Sequence, residues 1–400
     1  MDRKNRKRVT YVSSANATLR AYGMKPEVKK KKKKPFQGAL RIALLVIAVA
    51  ALVALVLSVS LSNVGRTEIG RATRIGATLS QNVTPFGDKV IFYDGTTLHC
   101  VAATGGNEWS YQIGNGADYD ATENRIVAWT GNDIYILNTN GRLVYNNKMS
   151  DKIQFASAGD NYVAVFVGEP DNGVVTVIDQ NGQTVDNVAI ANQTLLDIGF
   201  FYSTTSSSAQ LTELMWVLGL DTTGTVISTE LQTFQPGKLS TGKSSLGEHI
   251  AYMIYGHNEQ LNIVNTREIM HYNYRALEAN ASTLIYGYAM ADVKTVGKTL
   301  YQLLIPEQEQ NQGMVISNLR LMYDGIDRML HLPGVCMDAK LGTNSVYGFS
   351  HNAVYVCRYG ETTFSAYSLP VHITAVLGMI SDNRVIAASG SEIYVIELPT

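Results

Sequence analysis

A turn glycine that recurs about every 40 residues constrains the fold of this chain more than any other sequence feature. Short runs rich in Val, Ile, Tyr and Thr alternate with clusters of Asn, Asp and Gly, which is typical of β-strands joined by tight turns. Three strand–turn–strand segments, ILNTNGRLV, VIDQNGQTV and GLDTTGTVI, place the glycine at Gly141, Gly182 and Gly224, with spacings of 41 and 42 residues. An earlier copy, TGGNEW, has Gly105 36 residues before Gly141. A period near 40 with several short strands per unit predicts the blades of a β-propeller.

The predicted propeller occupies residues 76–400 and contains eight such units, with seven as the alternative count. The unit at about 281–328 is the least regular and carries a polar insert at 307–312. The last unit ends at Leu398 with only three strands, and we expect residues 67–75 to supply the fourth, because closing the ring removes exposed sheet edges. The predicted fold class is therefore all-β, a propeller of seven or eight four-stranded blades with eight favoured.

Residues 42–61, IALLVIAVAALVALVLSVSL, form an uncharged apolar run that is long enough for a helix to cross a bilayer core of about 30 Å. Basic residues concentrate before this run and are sparse after it. This asymmetry predicts a single-pass plasma-membrane protein with a cytoplasmic N-terminus and an extracytoplasmic C-terminal domain. A cleaved signal peptide is the alternative, but the long basic region and the full-length apolar run favour an anchor. Residues 62–75 are then a linker that includes the expected ring-closing strand.

The formal net charge of −1 hides two opposite parts of the chain. Residues 1–41 hold 14 Lys and Arg against two acidic residues, and the remainder holds 19 basic and 32 acidic residues. We expect the tail at 1–41 to be disordered and cytoplasmic, and to approach anionic inner-leaflet lipids. Few aromatic residues accompany its charges, so nucleic-acid binding is disfavoured. The lipid-facing basic residues are Lys29, Lys30, Lys31, Lys32, Lys33 and Lys34.

Cysteine and histidine usage indicates neither a disulfide framework nor a metal site. Cys100, Cys336 and Cys357 are scattered and odd in number, and the seven histidines show no metal-type spacing. We therefore predict no metal and no cofactor, and expect a large apolar core to stabilise the domain.

The segment Thr104-Gly105-Gly106-Asn107-Glu108-Trp109 resembles the TG-x-x-x-W blade-docking motif of the quinoprotein-type propeller superfamily, which is built from PQQ-type repeats. The resemblance implies that Trp109, with Thr104 and Gly105, docks one blade on the next. The alanine and aspartate that precede the motif in that family are absent, and the other turn glycines have no tryptophan four residues later. The quinoproteins' cofactor and calcium ligands have no counterpart either, so the resemblance is to non-catalytic members. The overall plan also resembles single-pass, membrane-anchored propeller proteins of Gram-positive bacteria.

Two segments resemble known ligand sites. Residues 237–244, GKLSTGKS, match the phosphate-binding pattern G-x-x-x-x-G-K-[ST]. That loop needs a helix after it, and the apolar aromatic run that follows favours a strand, so we predict an inter-blade loop. Residues 118–123, DYDATE, loosely resemble an acidic calcium loop, but the full ligand spacing and the glycine are missing.

Six tyrosines lie within one stretch of the chain, and two explanations for them stay open. In the favoured explanation they pack between blades with their hydroxyl groups exposed to solvent. In the other, they form a tyrosine-rich end face that recognises a protein or glycan. The six are Tyr252, Tyr255, Tyr272, Tyr274, Tyr286 and Tyr288.

No catalytic residue set is recognisable, and this favours a non-enzymatic role. The functional hypothesis is a membrane-anchored, extracytoplasmic propeller that acts as a binding or scaffold module for an envelope protein or glycan. The alternative is an envelope enzyme that acts on a glycan or peptide at the propeller channel.

Overall fold

The computed structural model of the protein describes residues 67–68 and 70–399, apart from 207, 239, 312–314 and 382. The predicted membrane span, the basic tail and the six lysines at 29–34 lie outside the described residues. Within the part of the chain that is described, no helix is both long and apolar enough to cross a bilayer.

Short strands joined by tight turns make up almost all of the described chain. Two strands, β1 (Thr67–Glu68) and β2 (Ala72–Thr78), precede the first blade. The first four blades are β3 (Val83–Phe86), β4 (Lys89–Tyr93), β5 (Thr97–Ala102), β6 (Asn107–Gln112); β7 (Asp118–Ala121), β8 (Arg125–Thr130), β9 (Asp133–Asn138), β10 (Leu143–Lys148); β11 (Ile153–Ala158), β12 (Tyr162–Glu169), β13 (Asn172–Asp179), β14 (Thr184–Ala189); and β15 (Gln193–Thr205), β16 (Ser208–Asp221), β17 (Ser228–Phe234), β18 (Ser240–Gly247).

The second half of the chain continues the same pattern, with one short helix after the second strand of the sixth blade. Its strands are β19 (Met253–His257), β20 (Gln260–Val264), β21 (Glu268–Tyr272), β22 (Glu278–Leu284); β23 (Tyr288–Val296), β24 (Thr299–Pro306), β25 (Ile316–Tyr323), β26 (Ile326–Cys336); β27 (Asp338–Leu341), β28 (Ser345–Phe349), β29 (Ala353–Arg358), β30 (Ser365–Ser368); and β31 (Ala375–Ile380), β32 (Arg384–Ser389), β33 (Glu392–Glu397), with α1 (Glu307–Asn311) between β24 and β25.

These strands form eight antiparallel sheets, so the all-β propeller with eight four-stranded blades is confirmed over the seven-bladed alternative. Seven blades use four consecutive strands each, and the eighth combines β31 to β33 with β2 from the start of the domain. Thr73 pairs with Val395 and Ile75 with Ile393 in this closing contact. The segment expected to close the ring, 67–75, divides in two, because β1 instead adds a parallel fifth strand to the seventh blade.

Burial along the strands follows their position in each blade. The first strands lie next to one another around the axis, and the second and third strands are packed on both faces by neighbouring blades. Strand β28 is therefore buried at every position, whereas the outermost strand β10 is mostly exposed. Each of the eight blade junctions holds its own apolar cluster, and the three cysteines lie buried there as free thiols.

The turns between the third and fourth strands join successive blades. Trp109, on β6 of the first blade, lies over Gly141 of the second, and its indole N–H donates to the Thr139 carbonyl oxygen at 3.0 Å. Gly141 has a φ of 71°, and a Cβ there would lie 2.7 Å from the indole Cγ, so both the backbone and the contact require glycine. Thr104 and Gly105 form the corresponding turn of the first blade, where Gly105 faces Thr73 of β2.

A tyrosine repeats this contact one blade further on. Tyr145 of β10 lies over Gly182 of the third blade, where a Cβ would be 2.9 Å from the ring Cγ. The next junction has Val185 against Gly237, which lies in the turn between β17 and β18. Gly224 is not equivalent to the other turn glycines, because it lies between the second and third strands of the fourth blade.

Gly141→Ala tests the docking contact. We expect it to lower the free energy of unfolding by about 2–4 kcal/mol, because left-handed backbone disfavours a Cβ and the methyl group would collide with Trp109. Gly131 provides the matched control, since it has a φ of 58° and no heavy atom within 4 Å of a built Cβ, so Gly131→Ala should cost only about 1–2 kcal/mol. Urea unfolding followed by circular dichroism measures both. Equal losses for the two variants, or an excess loss at Gly141 that persists in a Trp109→Ala background, would contradict the contact.

Candidate functional site

The propeller has two ends. The end that carries the turns between the first and second strands and between the third and fourth strands of each blade is called the front end. The back end carries the turns between second and third strands and the connections between blades. Five consecutive blades, from the sixth round to the second, contribute front-end turns to a cavity of about 740 Å³ at the mouth of the central channel. Asp88, Glu123 and Lys294 line it, with the two carboxylates on neighbouring blades. An enzyme of the alternative kind would act here.

The acidic segment at 118–123 has a structural role. Residues Asp118–Ala121 form the first strand of the second blade, and Asp120 Oδ2 accepts hydrogen bonds from the Ala158 backbone N–H at 2.9 Å and the Ser157 hydroxyl at 3.3 Å. These bonds join the second blade to the third. Across the described residues, no group of three or more His, Cys, Asp or Glu side chains is placed to hold a metal ion.

The phosphate-loop match at 237–244 forms a turn followed by a strand. Gly237 adopts a φ of 74° after Pro236, as a type II turn requires, and residues Ser240–Gly247 are β18. Lys243 reaches across to Glu230 on β17, with 3.6 Å between Nζ and Oε2. No helix N-terminus is available for a phosphate at this point.

The six clustered tyrosines occupy three kinds of position. Tyr255, Tyr272 and Tyr288 pack between blades, and Tyr274 belongs to a front-end turn. Tyr252 and Tyr286 lie in connections at the back end, and Tyr286 is 79% exposed. Packing between blades therefore accounts for part of the set, and recognition of a partner by the exposed tyrosines stays a prediction.

Large apolar side chains are exposed at the back end of the fourth and fifth blades and in the connection that leads to the sixth. Ile250, 66% exposed, lies in the connection between the fourth and fifth blades, and Leu284, 68% exposed, ends β22. The Met290 backbone N–H donates to the Tyr252 hydroxyl at 2.8 Å, which fixes the connection that contains Ile250 against the sixth blade. We call this set the back-end apolar surface; its members are Val226, Ile227, Ile250, Tyr252, Leu284 and Tyr286.

The junction between the fifth and sixth blades is packed differently from the others. Its apolar cluster has five buried residues, whereas the other seven junctions have nine to fourteen in the described chain. These five side chains belong to the back half of the junction; they are Val264, Ile269, Ile285, Met290 and Leu304. The front half is open.

At this junction, no side chain of the described residues fills the position that Trp109 and Tyr145 occupy at theirs. The front-end turn of the sixth blade contains Gly325, and no heavy atom lies within 4 Å of a Cβ built there. The facing outer strand, β22, carries Asn280 and Ala281 at this level. A cleft of about 550 Å³ results, which we call the fifth–sixth cleft.

A neutral hydrogen-bond network forms one wall of the cleft. Asn262, only 3% exposed, donates from Nδ2 to the Tyr255 carbonyl oxygen at 3.4 Å, so its Oδ1 faces His271 Nδ1 at 2.7 Å. This arrangement places the imidazole proton on Nδ1, and Nε2 then accepts from the Thr283 hydroxyl at 3.1 Å. Burial lowers the pKa of His271, which keeps the ring neutral at pH 7.

The opposite wall comes from the sixth blade. Gln302 donates from Nε2 to the Tyr255 hydroxyl at 2.6 Å, which joins the two blades beneath the cleft. Burial raises the pKa of Tyr255 to about 12, so this hydroxyl stays protonated. At the rim, the Thr299 hydroxyl donates to Asp324 Oδ2 at 2.6 Å. Apart from the carboxylates of Asp324 and Asp327 at the rim, both walls present uncharged hydrogen-bonding groups.

A two-residue turn at the channel side of the cleft is held by the fourth blade. Asn258 and Glu259 have φ values of 46° and 64°, the backbone of a type I′ turn that glycine usually occupies. The long β15–β16 hairpin reaches this turn, where Thr204 donates to Glu259 Oε2 from its backbone N–H at 3.0 Å and from its hydroxyl. His257, next to the turn, contacts Thr295 Oγ1 of the sixth blade through Nδ1 at 3.2 Å.

No family model matches the chain, and no curated protein sequence matches it. Among solved structures it is similar to Sqt1 of Saccharomyces cerevisiae, at 10% identity with a TM-score of 0.51, over 82% of this chain and 100% of that chain. It is also similar to the WD40 domain of SCAP from fission yeast, at 11% identity with a TM-score of 0.51, over 82% and 94%. BamB from Moraxella catarrhalis matches at 10% identity with a TM-score of 0.48, over 82% and 99%.

At these identities, the likeness to Sqt1 and to the SCAP domain shows the fold alone. The chain is a β-propeller, and the two neighbours agree with the architecture seen in its own sheets. The narrower resemblance to quinoprotein-type propellers stays a prediction that rests on the docking motif.

The cleft network should make stability depend on pH. Because the folded pKa of His271 lies below its ordinary value near 6.5, the unfolded chain binds more protons in the interval between the two values. The free energy of unfolding should therefore decrease as the pH falls below 6.5 toward the lowered pKa. We expect His271→Gln to reduce this decrease, as measured by urea unfolding from pH 7.5 to 5.0.

His331 provides the matched control, because it is exposed and its Nδ1 also lies 2.7 Å from an asparagine Oδ1. His331→Gln should retain the acid-induced loss. If the free energy of unfolding changes with pH equally in the wild type and in His271→Gln, then His271 has the same pKa in the folded and unfolded states, which contradicts the prediction.

Proposed function

We propose that this protein is a single-pass membrane protein whose propeller lies outside the cytoplasm and acts as a non-enzymatic binding or scaffold module for another envelope protein. The observation that carries the proposal is the back-end apolar surface, in which large apolar side chains are exposed at the back end of the fourth and fifth blades and in the connections that follow them. Contiguous exposed apolar residues on a soluble domain typically mark interaction sites.

The chemistry of this surface favours a protein over a glycan. Val226, Ile227, Ile250 and Leu284 are aliphatic, and aliphatic side chains gain most from contact with the apolar side chains of another protein. Tyr252 and Tyr286 add the amphipathic rings that are enriched at protein interfaces. The hydroxyl of Tyr252 is already bonded to the Met290 backbone, so the ring is held in place before a partner binds.

The proposed anchor depends on the sequence before the propeller. The apolar run at 42–61 has the length of a membrane span, and the lysines at 29–34 would interact with anionic lipids at about 1 kcal/mol each near the surface. An anchored propeller is confined to the membrane surface, and this confinement raises its effective concentration toward other envelope proteins.

Site-specific photocrosslinking tests the binding role. The photoreactive residue p-benzoylphenylalanine would replace Tyr286 or Ile250 in the full-length protein in cells, and crosslinked proteins would be identified by quantitative mass spectrometry. We expect the same envelope protein at both positions. The triple variant Ile250→Ser/Leu284→Ser/Tyr286→Ser should lower recovery of that protein at least tenfold in co-purification.

The outer strand of the second blade provides the control. Leu143 and Val144 are exposed apolar residues of comparable type, at 43% and 47%, but lie far along the ring from the proposed surface. Crosslinking at Val144 should not yield the partner, and Leu143→Ser/Val144→Ser should leave its recovery unchanged. If the partner crosslinks equally well at Val144, or if the triple variant retains it, the back-end surface is not the interface.

Reporter fusions test the proposed topology. Alkaline phosphatase, which needs an oxidising compartment, should be active when fused after Thr400, and a fluorescent protein that matures only in the cytoplasm should be dark there. Replacing Lys29 to Lys34 with glutamine and residues 62–65 with lysine should reduce phosphatase activity, because the charge bias that orients the span is reversed. Phosphatase activity with no membrane retention would instead indicate a cleaved leader.

A further inference from the structure

We propose that the fifth–sixth cleft binds a neutral, hydroxyl-rich ligand, namely a short oligosaccharide. The site is at the front end and separate from the back-end apolar surface, so it adds a second binding activity to the module. Its volume of about 550 Å³ falls within the range of about 300–1,000 Å³ that is typical of small-molecule sites.

The charged side chains in the cleft lining are carboxylates. The lining contains no lysine or arginine within the described chain. Of the two carboxylates at the rim, Asp327 accepts two hydrogen bonds from the Arg320 guanidinium at 2.9 and 2.7 Å, and Asp324 is engaged by Thr299. An anionic ligand would find no lysine or arginine in the lining as a counter-charge, and its desolvation would be uncompensated.

Hydrogen-bonding groups remain available inside the cleft. Two acceptors, Gln302 Oε1 and Asn280 Oδ1, have no hydrogen-bond partner among the described residues. The donor Gln260 Nε2 also has no partner among them. Sugar hydroxyls act as donor and acceptor at once, and a mixed set of amide donors and acceptors satisfies both roles. His257 Nε2 adds a further ring nitrogen at the channel side.

Apolar surface lies beside these polar groups. Leu300, Met322 and Tyr323 line the cleft, and the C–H faces of a sugar ring can pack on them. Tyr323 is held in place by the ring of Tyr301, with centroids 4.8 Å apart, and by the Arg328 guanidinium, 5.6 Å from its centroid. A pre-organised wall lowers the entropic cost of binding.

A peptide fits the cleft less well. Peptides commonly bind by adding a strand to an open sheet edge, and the edge here is β22. The pairing of β22 with β21 shifts register twice, between Ile269 and His271 and again between His271 and Tyr272. Such bulges interrupt the regular ladder that strand addition needs.

The test uses the full chain, purified in a detergent without a sugar head group. Saturation-transfer NMR and isothermal titration calorimetry would be run with chitotriose, cellotriose and maltotriose. Triglycine and glucuronic acid serve as peptide and anionic probes. We expect at least one neutral trisaccharide to bind at sub-millimolar to millimolar concentration, and the two other probes to bind at least tenfold more weakly.

Two tryptophan variants localise the binding. Ala281→Trp introduces an indole at the open junction, comparable to Trp109 at the first junction, and should weaken trisaccharide binding at least tenfold. Ser282→Trp places the same ring on the adjacent residue of β22, whose side chain bonds Glu268 instead of lining the cleft, and should leave binding unchanged. Gln302→Met removes the free acceptor and provides a second blocking variant, and circular dichroism and thermal unfolding confirm that each variant is folded.

Three results would overturn the proposal: no trisaccharide binding by the wild type, stronger binding of triglycine or glucuronic acid, or equal effects of the two tryptophan variants. The back-end surface is altered in none of these proteins, so recovery of the crosslinked envelope protein reports separately on the proposed scaffold role.

Discussion

Strand β2, at the start of the domain, pairs with β33, at its end, and the remaining structure depends on this pairing. Each blade buries its two faces only against its neighbours, so an open ring would leave one apolar face of the first blade and one of the eighth in water. Ile75 and Ala77, on β2, are almost completely buried in the cluster between these two blades. Two residues from the start of the domain therefore complete the apolar cluster between its last blade and its first. Closure also pairs the edge of β33 that faces away from β32, so that this buried strand has no unpaired edge.

Once the ring is closed, complementary volumes at the front-end turns determine how the first three blades fit together. A large ring meets glycine at two junctions, where Trp109 lies over Gly141 and Tyr145 over Gly182. At the junction of the fourth and fifth blades the small residue is Gly242 on the outer strand, where a Cβ would collide with the Arg275 backbone of the facing turn. The fifth–sixth cleft lies where the two facing residues, Gly325 and Ala281, are both small.

The periodic features of this fold could be predicted from the sequence, and the contacts between blades mostly could not. Gly105, Gly141 and Gly182 lie in equivalent turns of the first three blades, and Trp109 of the motif at 104–109 lies over Gly141. Tyr145 makes an equivalent contact with Gly182, but a motif defined by tryptophan does not predict it. Gly224 does not follow the period, because β15 and β16 have 13 and 14 residues, which displaces the later turns of the fourth blade and places Gly237 in the equivalent turn. The cleft is lined by side chains from two blades and is open because no large side chain lies between them. No single segment of the sequence shows this combination.

The turn at 258–259 connects the cleft to the rest of the front end. The sixth blade forms its own two-residue turn with Asp324 and Gly325, at φ values of 44° and 75°, and glycine adopts this backbone without steric cost. The fifth blade has Glu259 at the equivalent second position, with a φ of 64°, and a non-glycine residue there costs about 1–3 kcal/mol. The two hydrogen bonds that Thr204 donates to the Glu259 carboxylate offset this cost. Glycine would form the turn but could not accept these bonds, so the hairpin of the fourth blade would lose its contact with the fifth. The strained residue therefore couples the hairpin to the turn that positions His257 and Asn258 beside the cleft, and the geometry of the site depends on three successive blades rather than two.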